Sequence, residues 1–157
     1  MKKLEEEIHA LFISRGLTLS VAESCTGGSV AARLTQIPGA SRYFLGGVVA
    51  YSNEMKMKAL GVTASSLEHD GAVSQEVVAQ MAEGVLKLTN SDFSLAVSGI
   101  AGPEGGTPEK PVGTVWCAMA NKNKPTQTWR LHLTGSRAEI ITSSCDNLLQ
   151  KLLQNVT

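Results

Sequence analysis

The segment LTLSVAESCTGGSV, residues 17–30, begins with apolar and small polar residues and ends in a polar, glycine-rich turn. Its first part, through Ser24, is typical of a short strand, and a helix is predicted to begin after Thr26 and to end near Gln36. A strand that passes directly into a helix is the unit from which α/β sheets are built. The turn between them therefore indicates an α/β fold. It also contains two side chains that could react as nucleophiles, Ser24 and Cys25.

The side chains of this turn have two interpretations. In the first, Ser24 or Thr26 caps the following helix, Glu23 caps it or orients another group, and Cys25 is a small buried apolar residue. In the second, a nucleophile stands just before a helix N-terminus, whose free amide groups could stabilise an oxyanion. The turn alone does not decide between them.

Outward from this turn, helix and strand patterns alternate along the chain. Apolar residues recur at helical spacing over 2–15, with Gly16 as the expected C-cap, and 43–52 is predicted to be a buried strand that contains glycines. The remaining predictions are a short helix over 53–60, a loop with a helical turn over 61–71, a helix from Ser74 to near Asn90, strands over 93–99, 112–120 and 126–133 with a hairpin between the last two, and a helix over about 137–154. This order predicts one α/β domain over 1–157, with helices layered on a mixed sheet.

Composition excludes several classes of function. Lys and Arg number 14 and Asp and Glu number 14, so the net charge of zero gives no support for a nucleic-acid partner. No run reaches the ~18 apolar residues of a membrane span, and the start of the chain does not resemble a signal peptide, so no membrane association is expected. The three cysteines are too far apart for a disulfide framework, which favours a cytoplasmic location. His9, His69 and His132 are scattered without ligand spacing, and no metal site is expected.

The segment YSNEMK, residues 51–56, follows the second predicted strand. Lys56 would act as a base only if burial or a nearby cation lowered its pKa, and Tyr51 could relay a proton or hold the lysine. Serine–lysine pairs of this kind occur in acyl-transfer enzymes on several folds. The alternative is a solvated helix with Glu54 and Lys58 paired at i,i+4 spacing.

The segment SGIAGPEGGTPEKPVG, residues 98–113, follows the third predicted strand and is rich in glycine and proline. Repeated glycines allow backbone amides to converge on an anion, and long loops of this kind are usually functional. Its spacing matches neither a P-loop nor a dinucleotide-binding turn, so a rigid structural loop is the alternative. The candidate ligand-contacting residues of this loop are Gly99, Ala101, Gly102, Gly105 and Gly106.

Taken together and in this order, these motifs resemble the CinA C-terminal domain family. The matching stretches are AESCTGG at 22–28, the G-x-x-x-YSNE-x-K pattern at 47–56, GAVS at 71–74 with MAEG at 81–84, and SGIAGPEGGTPEKPVGTVW at 98–116. The resemblance implies a three-layer α/β/α sandwich with a mixed sheet. It also implies hydrolysis of the carboxamide of nicotinamide mononucleotide (NMN), a small-molecule substrate, to nicotinate mononucleotide and ammonia.

In that family the nucleophile is the serine of the first motif, here Ser24, and its partners are Tyr51 and Lys56. No metal or organic cofactor is implied. Amide hydrolysis needs a nucleophile, a base, a proton for the departing ammonia and oxyanion donors. We expect loop 99–106 to line the nucleotide pocket and the oxyanion donors to be backbone amides around Cys25, Thr26, Gly27 and Gly28.

The chain departs from the family pattern at two places. Asp70 precedes Gly71 where the family commonly has histidine. The family also tends to carry two arginines at the start of the last helix, whereas this chain keeps Arg137, a candidate substrate contact, and has Ile141 at the second position. A lost charged hydrogen bond is worth ~1.5–3 kcal/mol, so binding of the substrate phosphate is expected to weaken.

Two alternatives to the deamidase follow. One is a paralogue with weak or no activity that binds a nucleotide, which the missing arginine favours. The other is a partner in DNA uptake or damage response, suggested by the competence-related family name, which the net charge does not support. Self-association is also possible through the apolar first helix or the exposed edge of the terminal hairpin.

Overall fold

The computed structural model describes residues 3–156. Its elements in chain order are α1 (Leu4–Arg15), β1 (Leu19–Glu23), α2 (Ser29–Thr35), a short 3₁₀ helix (Ala40–Arg42), β2 (Phe44–Val49), α3 (Asn53–Leu60), α4 (Ala64–Asp70), α5 (Gln75–Thr89), β3 (Phe93–Gly99), β4 (Thr114–Asn121), β5 (Lys124–His132) and α6 (Arg137–Val156). The predicted order of helices and strands is confirmed apart from α4, which lies within a predicted loop, and Gly16 ends α1 in the left-handed conformation with φ of 64°.

The five strands form one mixed sheet in the order β2-β1-β3-β4-β5. β1 pairs in parallel with both β2 and β3, whereas β3, β4 and β5 pair antiparallel. The hairpin between β4 and β5 is the one that the sequence predicts. The mixed sheet and the α/β fold class are therefore confirmed.

Helices cover both faces of the sheet and make three layers. Because successive side chains of a strand point to opposite faces, Val21 and Val97 pack into the layer of α1, α2 and α6, while Ala22 and Ala96 pack into the layer of α3, α4 and α5. The first layer holds the larger apolar cluster, and the small alanines of the second allow α5 to lie close to the sheet. The three-layer arrangement agrees with the family expectation.

Two local predictions differ from the structure. β2 was predicted to be buried, but it lies at the edge of the sheet, where Leu45 is 49% exposed and Val49 is 48% exposed. Strand composition does not distinguish an edge from a centre, because both favour β-branched and aromatic residues. The predicted loop over 61–71 contains the two-turn helix α4, which begins where the Thr63 hydroxyl accepts a hydrogen bond from the amide of Ser66.

In the described part of the chain, no helix combines the length and the apolar character needed to cross a bilayer. The same residues contain no group of three or more His, Cys, Asp or Glu side chains placed to hold a metal ion.

Candidate active site

The site lies where the parallel strands end. Ser24 directly follows β1, Ala50 directly follows β2, and loop 100–113 follows β3. The connection from β1 leads to β2 on one side, while the connection from β3 leads to β4 on the other. Such a divergence opens a crevice at the carboxyl ends of the two strands, where α/β proteins commonly bind ligands.

A short contact joins Ser24 to Lys56 at the base of this crevice. The Oγ atom of Ser24 lies 3.1 Å from the Nζ atom of Lys56, and both side chains are buried. The amide of Ser24 donates to the carbonyl of Val97, 3.0 Å away, which fixes the serine to β3 as well as β1. Two motifs separated by 32 residues in sequence are thus brought into hydrogen-bonding contact.

Burial shifts the protonation equilibrium of Lys56 toward the neutral amine. Burial lowers the pKa of Lys56, because the charged form loses its hydration. Nζ also lies 3.0 Å from the carbonyl oxygen of Ala50 and 3.3 Å from that of Tyr51, and both oxygens can only accept. A neutral amine that donates to both carbonyls keeps its lone pair for the hydroxyl of Ser24. With the lysine neutral, this geometry would allow Nζ to accept the serine proton.

The two interpretations of helix α3 describe opposite faces of it. Lys58 forms the predicted ion pair with Glu54, 2.7 Å long, and both side chains are 70% exposed. Lys56, on the other face, is 1% exposed. The helix is fixed by Ser52, whose hydroxyl accepts from the amide of Met55.

The side chain of Cys25 is buried, as the first interpretation of this turn expects. Burial raises the pKa of its thiol to about 11, so the thiol is neutral near pH 7. Because the thiolate is the reactive form of cysteine, Ser24 is the better nucleophile of this turn.

Glu23 caps helix α2 and does not contact Lys56. Its buried carboxylate accepts from the Thr26 hydroxyl at 2.6 Å and from the amides of Val30 and Ala31 at 2.9 and 3.1 Å. A negative charge at this position is favoured by the helix dipole. The first amides of α2 are therefore already bound and do not serve as oxyanion donors.

Only some of the four backbone amides predicted to stabilise an oxyanion, those of residues 25–28, are free to donate a hydrogen bond. The amide of Gly27 donates to the carbonyl of Ser24. Within residues 3–156, the amides of Cys25 and Thr26 donate to no acceptor on another residue. The Cys25 amide, on the residue after the nucleophile and in the wall of the cleft, is the donor that we expect to contribute most.

The Tyr51 hydroxyl contacts Arg137. It lies 2.9 Å from one guanidinium nitrogen, and the second nitrogen donates to the carbonyl of Gly102 at 2.9 Å. Among the described residues, the hydroxyl of Tyr51 makes no hydrogen bond to Ser24 or Lys56, and only its backbone carbonyl reaches the lysine. Tyr51 is 59% exposed, so the tyrosine and the arginine lie at the mouth of the crevice.

A cleft of about 290 Å³ opens above the Ser24–Lys56 pair. The residues predicted from sequence that line it are Ser24, Cys25, Tyr51, Lys56, Gly99, Ala101, Gly102, Gly105 and Arg137. Thr26, Gly27, Gly28 and Gly106 do not line it. Gly27 and Gly28 instead adopt positive φ angles of 58° and 102° in the turn, and a Cβ on Gly106 would lie 2.8 Å from the amide nitrogen of Val112.

Six further residues of the cleft wall were not singled out from the sequence: Asn53, Ala72, Val73, Ser98, Ile100 and Glu104. Each of them lies inside one of the quoted motifs. Membership of a motif was therefore a usable signal, although the sequence did not show which side of each loop faces the cleft.

The fold and the site define an α/β/α sandwich with a serine–lysine pair beneath a cleft at the carboxyl ends of its parallel strands. The family model described as the CinA C-terminal domain matches residues 1–156, and the chain belongs to this family.

The curated relatives that this chain matches are longer than it. It is 52% identical over 154 residues to a CinA-like protein of Geotalea uraniireducens, with 96% of this chain and 36% of the relative covered. It is 48% identical over 151 residues to a CinA-like protein of Thermotoga maritima, with the same two coverages of 96% and 36%. The chain thus spans about a third of the length of the curated relatives it matches.

Solved structures of similar length share the fold. A competence/damage inducible protein from Agrobacterium tumefaciens superposes with a TM-score of 0.94 at 39% identity, covering 96% of this chain and 92% of that one. A CinA superfamily protein from Klebsiella pneumoniae superposes with a TM-score of 0.92 at 34% identity, covering 99% and 98%. These likenesses agree with the family assignment and with the three-layer sandwich.

Proposed function

We propose that this domain hydrolyses the carboxamide of NMN to nicotinate mononucleotide and ammonia, a step of pyridine-nucleotide salvage. The observation that carries the proposal is the 3.1 Å contact between Ser24 and the buried Lys56 at the base of a cleft. The substrate itself is suggested by the resemblance of the motifs. The names of several relatives refer to competence and damage induction.

The reaction begins with attack of the Ser24 oxygen on the carboxamide carbon, while the neutral amine of Lys56 takes the serine proton. The tetrahedral intermediate collapses with cleavage of the C–N bond. The leaving nitrogen takes the proton from Lys56 and departs as ammonia, which leaves an ester on Ser24. Water then hydrolyses the ester by the same steps in reverse order, with Lys56 as the base. Water is the one co-reactant that this balance requires.

Charge at the carboxamide oxygen would be stabilised by the amide of Cys25, the residue of this turn that lines the cleft after Ser24. Arg137, at the mouth of the cleft, would bind the substrate phosphate. Its present partners are the Tyr51 hydroxyl and the Gly102 carbonyl, so the phosphate would compete with them for the guanidinium. Tyr51 would then be free to act near the leaving group or to hold the nicotinamide ring.

The test is release of ammonia from NMN by purified protein. We compare wild type with Ser24→Ala, Lys56→Met and Ser41→Ala, since Ser41 is exposed and lies on the short 3₁₀ helix outside the cleft. The proposal expects the first two variants to lose activity and the control to retain it. Full activity in both Ser24→Ala and Lys56→Met would refute the mechanism, and an inactive wild type at high NMN would refute the substrate.

A second candidate is nucleotide binding without hydrolysis. It is favoured by Ile141, which packs against the core between α6 and the sheet and supplies no second cation. Arg137 is the one guanidinium in the cleft wall of the described chain. Calorimetry that shows NMN binding to a protein that releases no ammonia would support this candidate over the enzyme.

A further inference from the structure

We propose that Lys110 is a positioning residue, which fastens the loop 100–113 to the turn 70–74 and so fixes one wall of the cleft. The consequence for substrate binding rests on the proposed function. The fastening itself rests on contacts outside the Ser24–Lys56 pair.

The ammonium of Lys110 donates a hydrogen bond to the backbone carbonyl of Asp70. This carbonyl belongs to the last residue of α4, where a helix presents unsatisfied carbonyls and the negative end of its dipole. A cation that donates to such a group is favoured by both effects. A contact of this kind can therefore hold a loop against the end of a helix.

Gly71 leaves the space that the ammonium occupies. It has a positive φ of 79°, and a Cβ at this position would lie 3.1 Å from Nζ of Lys110. The GAVS segment at 71–74 and the EKPVG segment at 109–113, which belong to separate motifs of the sequence, therefore meet at this contact.

Three consecutive carbonyls of the turn each accept a hydrogen bond from a side chain. Lys110 donates to Asp70, Ser74 donates to Gly71 at 2.8 Å, and Ser98 donates to Ala72 at 2.8 Å. The three donors come from the loop, from the turn itself and from β3. The turn is thereby fixed from three directions, and its residues Ala72 and Val73 line the cleft.

The loop is held at its other points independently of Lys110. Its base is closed by the amide of Ile100, which donates to Thr114, and by the amide of Gly113, which donates to Ile100. Arg137 binds the carbonyl of Gly102. Among residues 3–156, Lys110 makes the sole side-chain hydrogen bond between this loop and the turn 70–74.

The backbone of Lys110 is itself fixed. Its amide donates to the Thr107 hydroxyl at 3.0 Å, and the amide of Thr107 donates to its carbonyl at 2.9 Å. The lysine therefore projects from an ordered turn, and the hydrogen bond of its ammonium holds that turn against the end of α4. Without it, no side-chain hydrogen bond among residues 3–156 would join the two segments of the cleft wall.

Loss of this contact should affect substrate binding more than chemistry. Ser24 is held by β1 and β3, and Lys56 by α3 and the carbonyls after β2, so neither depends on Lys110. Ala72 and Val73 of the turn face the same cleft as Ile100, Ala101 and Gly105 of the loop. Separation of these walls would weaken contacts that are made equally in the ground state and the transition state, which raises KM and leaves kcat little changed.

The experiment uses Lys110→Met, which removes the donor at similar length, Lys110→Arg, which keeps a charged donor, and Lys87→Met, an exposed lysine on α5 outside the cleft. Amide hydrogen exchange of segments 70–74 and 100–113 is measured without substrate, and KM and kcat for NMN are measured beside it. In Lys110→Met we expect exchange of both segments to rise at least about fivefold, KM to rise about tenfold and kcat to change less than about threefold. Lys110→Arg should recover most of both effects, and Lys87→Met should match wild type.

Unchanged exchange in Lys110→Met would overturn the proposal, whatever the activity. So would faster exchange accompanied by an equal loss in kcat, or a failure of Lys110→Arg to recover exchange and KM. If wild type does not hydrolyse NMN, the proposed function fails, and the exchange measurement still decides whether Lys110 fastens the wall.

Discussion

The Nζ atom of Lys56 lies within hydrogen-bonding distance of three oxygens, those of Ser24, Ala50 and Tyr51. Two of them are carbonyls that only accept, and the third belongs to a hydroxyl that can also donate. The protonated lysine would use all three as acceptors, whereas the neutral lysine has its lone pair directed at Ser24. Under the proposed mechanism, the protonation state of Lys56 therefore decides whether Ser24 is activated.

This relationship predicts a pH dependence of the rate. Burial lowers the pKa of Lys56 from its ordinary 10.5, and only the neutral amine can take the serine proton. We expect kcat for ammonia release to rise with pH through a midpoint below 10.5, as a pH–rate profile of wild type would show. A rate that falls with increasing pH over the same range would contradict the role of Lys56 as base.

The same shift predicts a pH dependence of stability. Because the folded pKa of Lys56 is lowered, the unfolded chain binds more protons between the folded pKa and the unfolded one, so the free energy of unfolding rises with pH through that window. Lys56→Met removes this contribution. Urea unfolding from about pH 7 to about pH 10 should show a smaller rise with pH in the variant than in wild type. Equal slopes for the two proteins would contradict it.

Glu23→Gln should destabilise the protein without acting on the chemistry directly. The carboxylate accepts from Thr26, Val30 and Ala31 with both oxygens, and the amide of glutamine would direct an N–H group at a donor. We expect the free energy of unfolding to fall by about 1–3 kcal/mol, measured by urea denaturation. The matched control is Glu54→Gln, whose exposed ion pair with Lys58 should be worth less than about 1 kcal/mol. A similar loss in both variants would contradict the capping role.

Cys25 should resist alkylation in the folded protein. Burial raises the pKa of its thiol to about 11, and that of Cys145 to about 12, so the reactive thiolates of these buried side chains are scarce. Treatment with iodoacetamide at about pH 8 should leave both thiols unlabelled by mass spectrometry, while protein unfolded in guanidinium is labelled. Rapid labelling of Cys25 with loss of ammonia release would contradict this placement.

Arg137→Gln should discriminate between substrates with and without a phosphate. If the guanidinium binds the phosphate, its loss removes a charged hydrogen bond, and KM for NMN should rise about 10–100-fold. KM for nicotinamide riboside, which lacks the phosphate, should change less than about threefold. The two substrates therefore distinguish loss of phosphate binding from a structural effect of losing the Arg137 contacts to Tyr51 and Gly102. An equal rise for both substrates would assign Arg137 a structural role instead.

Much of the fold could be predicted because local patterns and the final structure agree. The strand–turn–helix of residues 17–36, the capped helix after Ser74 and the hairpin between β4 and β5 each have periodicity and turn residues that favour one structure. The edge position of β2 could not be predicted in this way, because strand order depends on the crossover connections and on what packs against each face.

The sequence by itself determined which residues carry the candidate chemistry, since Ser24, Tyr51 and Lys56 stand in recognisable motifs just beyond strand ends. Only the tertiary structure decided the burial and the hydrogen-bond partners of each side chain. In the fold, Lys56 is buried beside Ser24, whereas Lys58 is exposed. Glu23 binds the first amides of α2. Arg137 contacts Tyr51, which is 86 residues away in the sequence. The physical reason is that burial, pKa and hydrogen-bond partners depend on groups from distant segments, and these meet only when the parallel strands align their carboxyl ends.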